Sequence, residues 1–186
     1  MSAHGYAATS ISDLARESGL PASSIYWHFG SKSGVLGAVM ERAANRFFED
    51  GARLIDATDG QDPQARLRAV MGVSGQLVRD RPRFLRLFML LLLGYEGEHA
   101  QEDVVDRVRR EGRRRITSGL RHAYQPWGPD IADRIADQLG DIALALFDGY
   151  FIAVESGPAP AQVRLLDQIV STLHGLAERL RETGRA

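Results

Sequence analysis

The sequence predicts an all-α protein, and three observations predict it. Apolar residues recur every three or four positions almost throughout, as at Ile11, Leu14 and Ala15, then Val35, Val39 and Met40 with Ala43 and Phe47 beyond. Spacing of that kind lines one face of a helix, not of a strand. Breakers then cut the chain into helix-sized pieces at Gly19-Leu20-Pro21, at Gly30, at residues 59–63, at Pro82, and at residues 94–101, 125–129 and 156–160. The pieces are two short helices, a long one over about residues 31–57, and about five more.

The first helix is signalled at its start by Ser10, whose hydroxyl can accept from a free backbone amide, with Asp13 three residues on near the positive helix end. Gly19 permits the left-handed backbone that stops it, and Leu20 can drop into the angle with the next helix. Pro21 cannot extend the first helix but can precede the second. On that second helix Ile25 and Phe29, four apart, are expected to face inward with Leu20, leaving Ala22, Ser23, Tyr26 and Trp27 outward. Gly30 ends it, and Ser31 opens the long helix with Lys32, the only lysine of the chain, in the first turn. A cation there is opposed by the helix dipole, so local stability does not explain it; a bound anion does.

The last two helices carry the strongest periodic signal. Ile131, Ile135, Leu139, Ile142, Leu146 and Tyr150 form one stripe, widened by Ala143, Phe147 and Val154; Val163, Leu166, Val170, Leu173, Ala177 and Leu180 form another, close to a coiled-coil seam. Stripes this wide need partners beyond each other. They fit a four-helix interface between two copies of the chain, through residues 130–155 and 160–181, or packing within one domain.

Composition narrows the function. The longest apolar run, residues 87–93, is far below the ~18 residues of a membrane span, so no membrane partner is expected. The opening MSAHGYAATS shows neither a basic region nor an apolar one, which points to a cytoplasmic protein, and there is no cysteine for disulfides or thiol chemistry. The five histidines show no metal-ligand spacing, and neither a phosphate-binding glycine loop nor a nucleophile elbow is present. No catalysis, metal or cofactor is therefore expected. Net charge is −1, and residues 1–50 hold Arg16, Lys32, Arg42 and Arg46 against Asp13, Glu17, Glu41, Glu49 and Asp50. A polyanion would have to be met by a small focused patch, duplicated by dimerisation.

That patch is available. Small Ala22, Ser23 and Ser24 would let a helix backbone approach base edges in a DNA major groove, and Tyr26 could donate to a phosphate. The residues from Thr9-Ser10-Ile11 through Leu14-Ala15, Gly19 and Ile25-Tyr26-Trp27-His28-Phe29 to Ser31-Lys32 resemble the DNA-binding region of the TetR family of bacterial transcriptional regulators. The resemblance covers roughly residues 5–45. It implies a helix-turn-helix domain over residues 1–45, with the motif at about 10–29, and a ligand-binding and dimerisation domain over 46–186. It further implies a homodimer on a palindromic operator, released by a small molecule, most simply as a repressor. Thr9 and Ser10 would meet phosphate; Pro21, Ala22, Ser23, Ser24 and Trp27 would lie along the groove; Tyr26, His28 and Lys32 would hold phosphates. His28 fits equally a packing role beneath Phe29, and Trp27 a place against the long helix. Ser23 stands where the family often has glycine and Pro21 where it often has serine, which bears on operator sequence.

Family members usually open with a further helix before the glycine that here is Gly5, so the resemblance implies a domain lacking its first helix. Residues 1–30 would then be the least ordered part, and DNA binding weak. The alternative function is a ligand-binding helical dimer with weak or no DNA binding. For an apolar or aromatic effector, Phe88, Leu92, Phe147 and Phe151 are candidate apolar walls, and Tyr95, His122, Tyr124, Trp127 and Asp148 candidate polar contacts. The run Arg107, Arg109, Arg110, Arg113, Arg114 and Arg115, interleaved with Asp103, Asp106 and Glu111, reads as a solvated helix face.

Overall fold

Glycine, proline and a capping serine set the order of the elements. The structure, a computed structural model, describes residues 6, 8–55, 62–80, 82–93, 99–156 and 159–183. Its helices are α1 (Ile11–Ser18), α2 (Ala22–Phe29), α3 (Lys32–Ile55), α4 (Pro63–Asp80), α5 (Pro82–Leu93), α6 (His99–Tyr124), α7 (Pro129–Ser156) and α8 (Ala159–Thr183), with one 3-10 turn at Gln125–Trp127. Among the described residues there is no strand, and no helix is long and apolar enough to cross a membrane. The breaks fall where the sequence places them. Tyr95 lies outside the described residues.

The chain divides into two compact units, Met1–Arg46 with Arg81–Arg109, and Phe47–Asp80 with Arg110–Ala186. In the first, Leu36, Met40 and Ala44 recur at a spacing of four along α3 and are buried, as are Ile11 of α1 and Ile25 of α2. In the second, α8 packs on α7 and α4. The stripes expected to form a seam between copies are largely used inside the chain: Ile135, Leu139, Ala143 and Tyr150 of α7, and Val170, Leu173 and Ala177 of α8, are buried within the protomer. The seam reading is corrected to that extent, because helical periodicity names a face without saying which neighbour covers it.

Within the second unit α6 and α7 run antiparallel in a register fixed by charge and by small residues. Arg121 pairs with Asp133 and Arg113 with Asp141, two helical turns apart on each helix. Between them Gly140 faces Thr117, whose methyl would lie 2.5 Å from a Cβ at position 140. The arginine run is thus only partly a solvated face: Arg114 and Arg115 grip Glu111 on the same helix, at 2.6 and 2.7 Å, while Arg113 reaches across.

Candidate nucleic-acid interface

Two short helices and the start of a third build the site, each bounded by a cap the sequence supplies. Ser10 caps α1: its hydroxyl accepts from the Asp13 N–H at 3.1 Å, and the Asp13 carboxylate accepts from the Ser10 N–H at 3.0 Å. Asp13 also receives Arg16 at 2.6 Å. The Ser10 hydroxyl, and then the Ser10 N–H and Arg16, hold the Asp13 carboxyl down at about 2. Thr9 is 7% exposed and its N–H donates to the Tyr6 carbonyl at 3.2 Å, so of the two expected phosphate contacts only Ser10 stands at the surface. Gly19, at φ 72°, ends α1 with its N–H on the Ala15 carbonyl, 3.0 Å away.

Pro21 precedes α2 in extended conformation, and its carbonyl accepts from Ser24 at 3.0 Å and Ile25 at 3.3 Å. One face of α2 is turned out: Ser23, Tyr26 at 53% and Trp27 at 81% exposed, with Ser23 and Trp27 one turn apart. Ala22 and Ser24 are half-buried, and Ile25 is the buried residue. His28 is exposed with its ring edge-on to Trp27, at 4.6 Å between centroids. The expectation that Leu20 and Phe29 face inward is corrected, since Leu20 is 53% and Phe29 40% exposed. The i,i+4 pair Ile25 and Phe29 shares a side of α2, but only its first member is buried.

Gly30, at φ 71°, stops α2 with its N–H on the Tyr26 carbonyl at 2.8 Å, and the Ser31 N–H turns back to the Phe29 carbonyl at 2.8 Å. Ser31 then caps α3 by accepting from the Gly34 N–H at 3.0 Å. Lys32 occupies the first position of α3 and its ammonium lies 4.2 Å from the centre of the Tyr6 ring. This cation–π contact fixes the lysine beside the amides of the helix start, where a phosphate is favoured. Tyr6 and Gly34 were not singled out from sequence. A glycine in the first turn of a long helix was the available signal for Gly34, because glycine weakens a helix unless close approach requires it.

Match to known proteins follows that geometry. Residues 1–39 match the model of the family Bacterial regulatory proteins, tetR family. This N-terminal segment is similar to the DNA-binding region of the TetR family. Likeness of fold extends over the chain: a Pseudomonas aeruginosa PAO1 protein named as a transcriptional regulator shares 22% identity, with 98% of this chain and 86% of that chain covered and a TM-score of 0.77. AibR, in complex with isovaleryl coenzyme A and operator DNA, shares 18% identity over 92% of this chain and 90% of that chain, with a TM-score of 0.60. No curated protein matches.

The effector candidates are divided between the two units. Phe88 is buried and Leu92 half-buried, both in the first unit. Tyr124 and Trp127 come together at the end of α6, joined by His174 of α8. There the Tyr124 hydroxyl meets His174 Nδ1 at 3.2 Å, Trp127 lies 4.9 Å from Tyr124 and 5.7 Å from His174, and the Arg181 guanidinium covers Trp127 at 4.6 Å. Burial pushes the Tyr124 hydroxyl well above the usual phenol range. Arg66 lies against the His122 ring, with Nη2 at 3.3 and 3.1 Å from its nitrogens. Phe147, Asp148 and Phe151 sit far along α7, and at 1.5 Å per residue the helix from Pro129 to Phe147 alone spans ~27 Å. One small-molecule pocket therefore does not take in both groups. Among the described residues no group of three or more His, Cys, Asp and Glu is placed to hold a metal ion.

Proposed function

We propose that the chain is a DNA-binding transcriptional regulator that acts as a homodimer and is released from its operator by a small apolar or aromatic molecule. The observation that carries the reading is the outward face of α2. Ser23, Tyr26 and Trp27 project from a helix bounded by Gly19-Leu20-Pro21 and Gly30, and the start of α3 with Lys32 stands at its end. A helix presented in this way fits the major groove, with base edges met along α2 and phosphates by Tyr26, His28, Lys32 and Ser10.

Dimerisation is supported by a second exposed stripe. Gln138, Ile142, Ala145, Gly149, Ile152 and Ser156 recur at alternating steps of four and three along α7, all exposed and all uncharged. A period of 3.5 residues is that of two helices packed side by side, and small residues in the middle allow close approach. A side chain at Gly149 would meet nothing within 4 Å in the protomer, so the space there is open to a second copy. Effector response is favoured by the complex of AibR, which holds both a coenzyme A ester and operator DNA. Phe147, Asp148 and Phe151 are the better effector residues of the two groups in the second unit, because the rings and cations at the end of α6 are stacked on one another.

Sequence selection from random DNA tests the reading. The purified chain is expected to enrich an inverted repeat whose half-sites lie about one helical turn, or a multiple of it, apart. Failure to enrich any sequence, alongside a dimer that responds to small molecules, favours the second reading, a ligand-binding module. That reading draws its support from the sparse positive charge of residues 1–50.

A further inference from the structure

We propose that Gly34 is the positioning residue of α2, setting the angle at which that helix is presented to DNA; the DNA part of this claim rests on the regulator reading above. Side-chain packing holds α2 only lightly. Ile25 is its one buried residue, and the Phe29 ring that the sequence offers as a second anchor stands partly in solvent. What fixes the far end of α2 is backbone on backbone. The last carbonyl of the helix, that of Phe29, lies directly against Gly34 in the first turn of α3. A Cβ at position 34 would fall inside the van der Waals envelope of the Phe29 carbonyl oxygen, 3.0 Å from its carbon and 3.6 Å from the Phe29 Cα.

Gly34 is held from the other side too. Its N–H donates to the Ser31 hydroxyl at 3.0 Å, and Ser31 in turn donates its own N–H to the Phe29 carbonyl at 2.8 Å. Gly30, in the left-handed region at φ 71°, closes the turn between them. The three residues form a knuckle in which no atom can be added at position 34 without lifting the Phe29 carbonyl. A carbonyl that lifts carries the last turn of α2 with it, and that turn bears Tyr26, Trp27 and His28. The obstacle is main chain, which has no rotamer to swing aside.

The test compares one substitution at two sites in the full chain. Gly34→Ala is set beside Gly72→Ala on α4, where an added methyl meets nothing within 4 Å. Amide resonances of residues 23–29 and the indole resonance of Trp27, read without DNA, are expected to shift in Gly34→Ala while those of α7 and α8 stay in place. Affinity for the selected DNA should fall about tenfold, the scale of one good contact. Gly72→Ala should change neither. Should Gly34→Ala fail to fold, Ser31→Ala decides, since releasing the Gly34 N–H should shift the same α2 signals by less. Signals of α2 that superimpose on wild type in the folded variant, or that stay in place in Ser31→Ala, overturn the proposal whatever the DNA result. If α2 moves but the wild-type chain binds no selected DNA, the positioning role stands and the regulator reading falls.

Discussion

Asp13 is an exposed carboxylate held in place by three donors, and its behaviour with pH follows from them. Its folded value, about 2, lies below its ordinary value of 3.8, so what it contributes to the α1 cap is present above about pH 4 and is lost as pH falls toward 2. A carboxyl titration by NMR should give a midpoint near that value, and the loss of α1 amide protection over this range should vanish in Asp13→Asn. Glu111, held at about 2 by Arg114 and then Arg115, should titrate in the same range on α6. Polar pairs differ in how legible they were. Ser10 and Asp13 stand three apart at a helix start, so local chain geometry alone brings them together. Arg113 and Arg121 find Asp141 and Asp133 across a helix pair, and no local rule names that partner. Lys32 lies between these cases: its place in the first turn was readable, but its neighbour Tyr6 is reached only through the fold.

Element boundaries were legible for a physical reason, since glycine and proline act on the backbone whatever surrounds them. Gly19, Gly30 and Gly128 take positive φ at the ends of α1, α2 and the 3-10 turn. What faces each helix was less legible, as Leu20 and Phe29 show, because periodicity marks a side and the covering surface comes from elsewhere in the chain. Glycines inside helices record such surfaces. Gly140 admits Thr117, and a methyl at Gly119 would lie 2.8 Å from a Val70 methyl. Thr117 cannot rotate away freely, because its hydroxyl donates to the Arg113 and Arg114 carbonyls at 3.0 and 2.9 Å. Gly140→Ala is therefore expected to destabilise the chain by ~1–3 kcal/mol, the usual cost of overpacking. Gly72→Ala should instead stabilise it by ~0.5–1 kcal/mol through helix propensity. Urea titrations of the two variants give the comparison, and equal effects would refute the close α6–α7 contact.

At the scale of the whole molecule, burial separates residues that hold the protomer from those available to a second copy. Leu173 has no exposed surface, so a charge there should unfold the protomer and not merely split a dimer. Ile152 is 55% exposed on the uncharged stripe of α7, and Ile152→Glu should give a folded monomer. Sedimentation with circular dichroism distinguishes the two outcomes; a dimer that survives Ile152→Glu removes this stripe as the interface. Under the proposed reading dimerisation matters, because it would double a DNA contact to which residues 1–50 of each protomer bring few cations. The most direct measurement of the central claim is the salt dependence of binding to the selected DNA, for wild type and Lys32→Ala. Each protomer should contribute one phosphate contact through Lys32, so the slope of log affinity against log salt should become shallower by about two units while the preferred sequence is unchanged. An unchanged slope would contradict the account, because the lysine at the head of α3 would then face no phosphate.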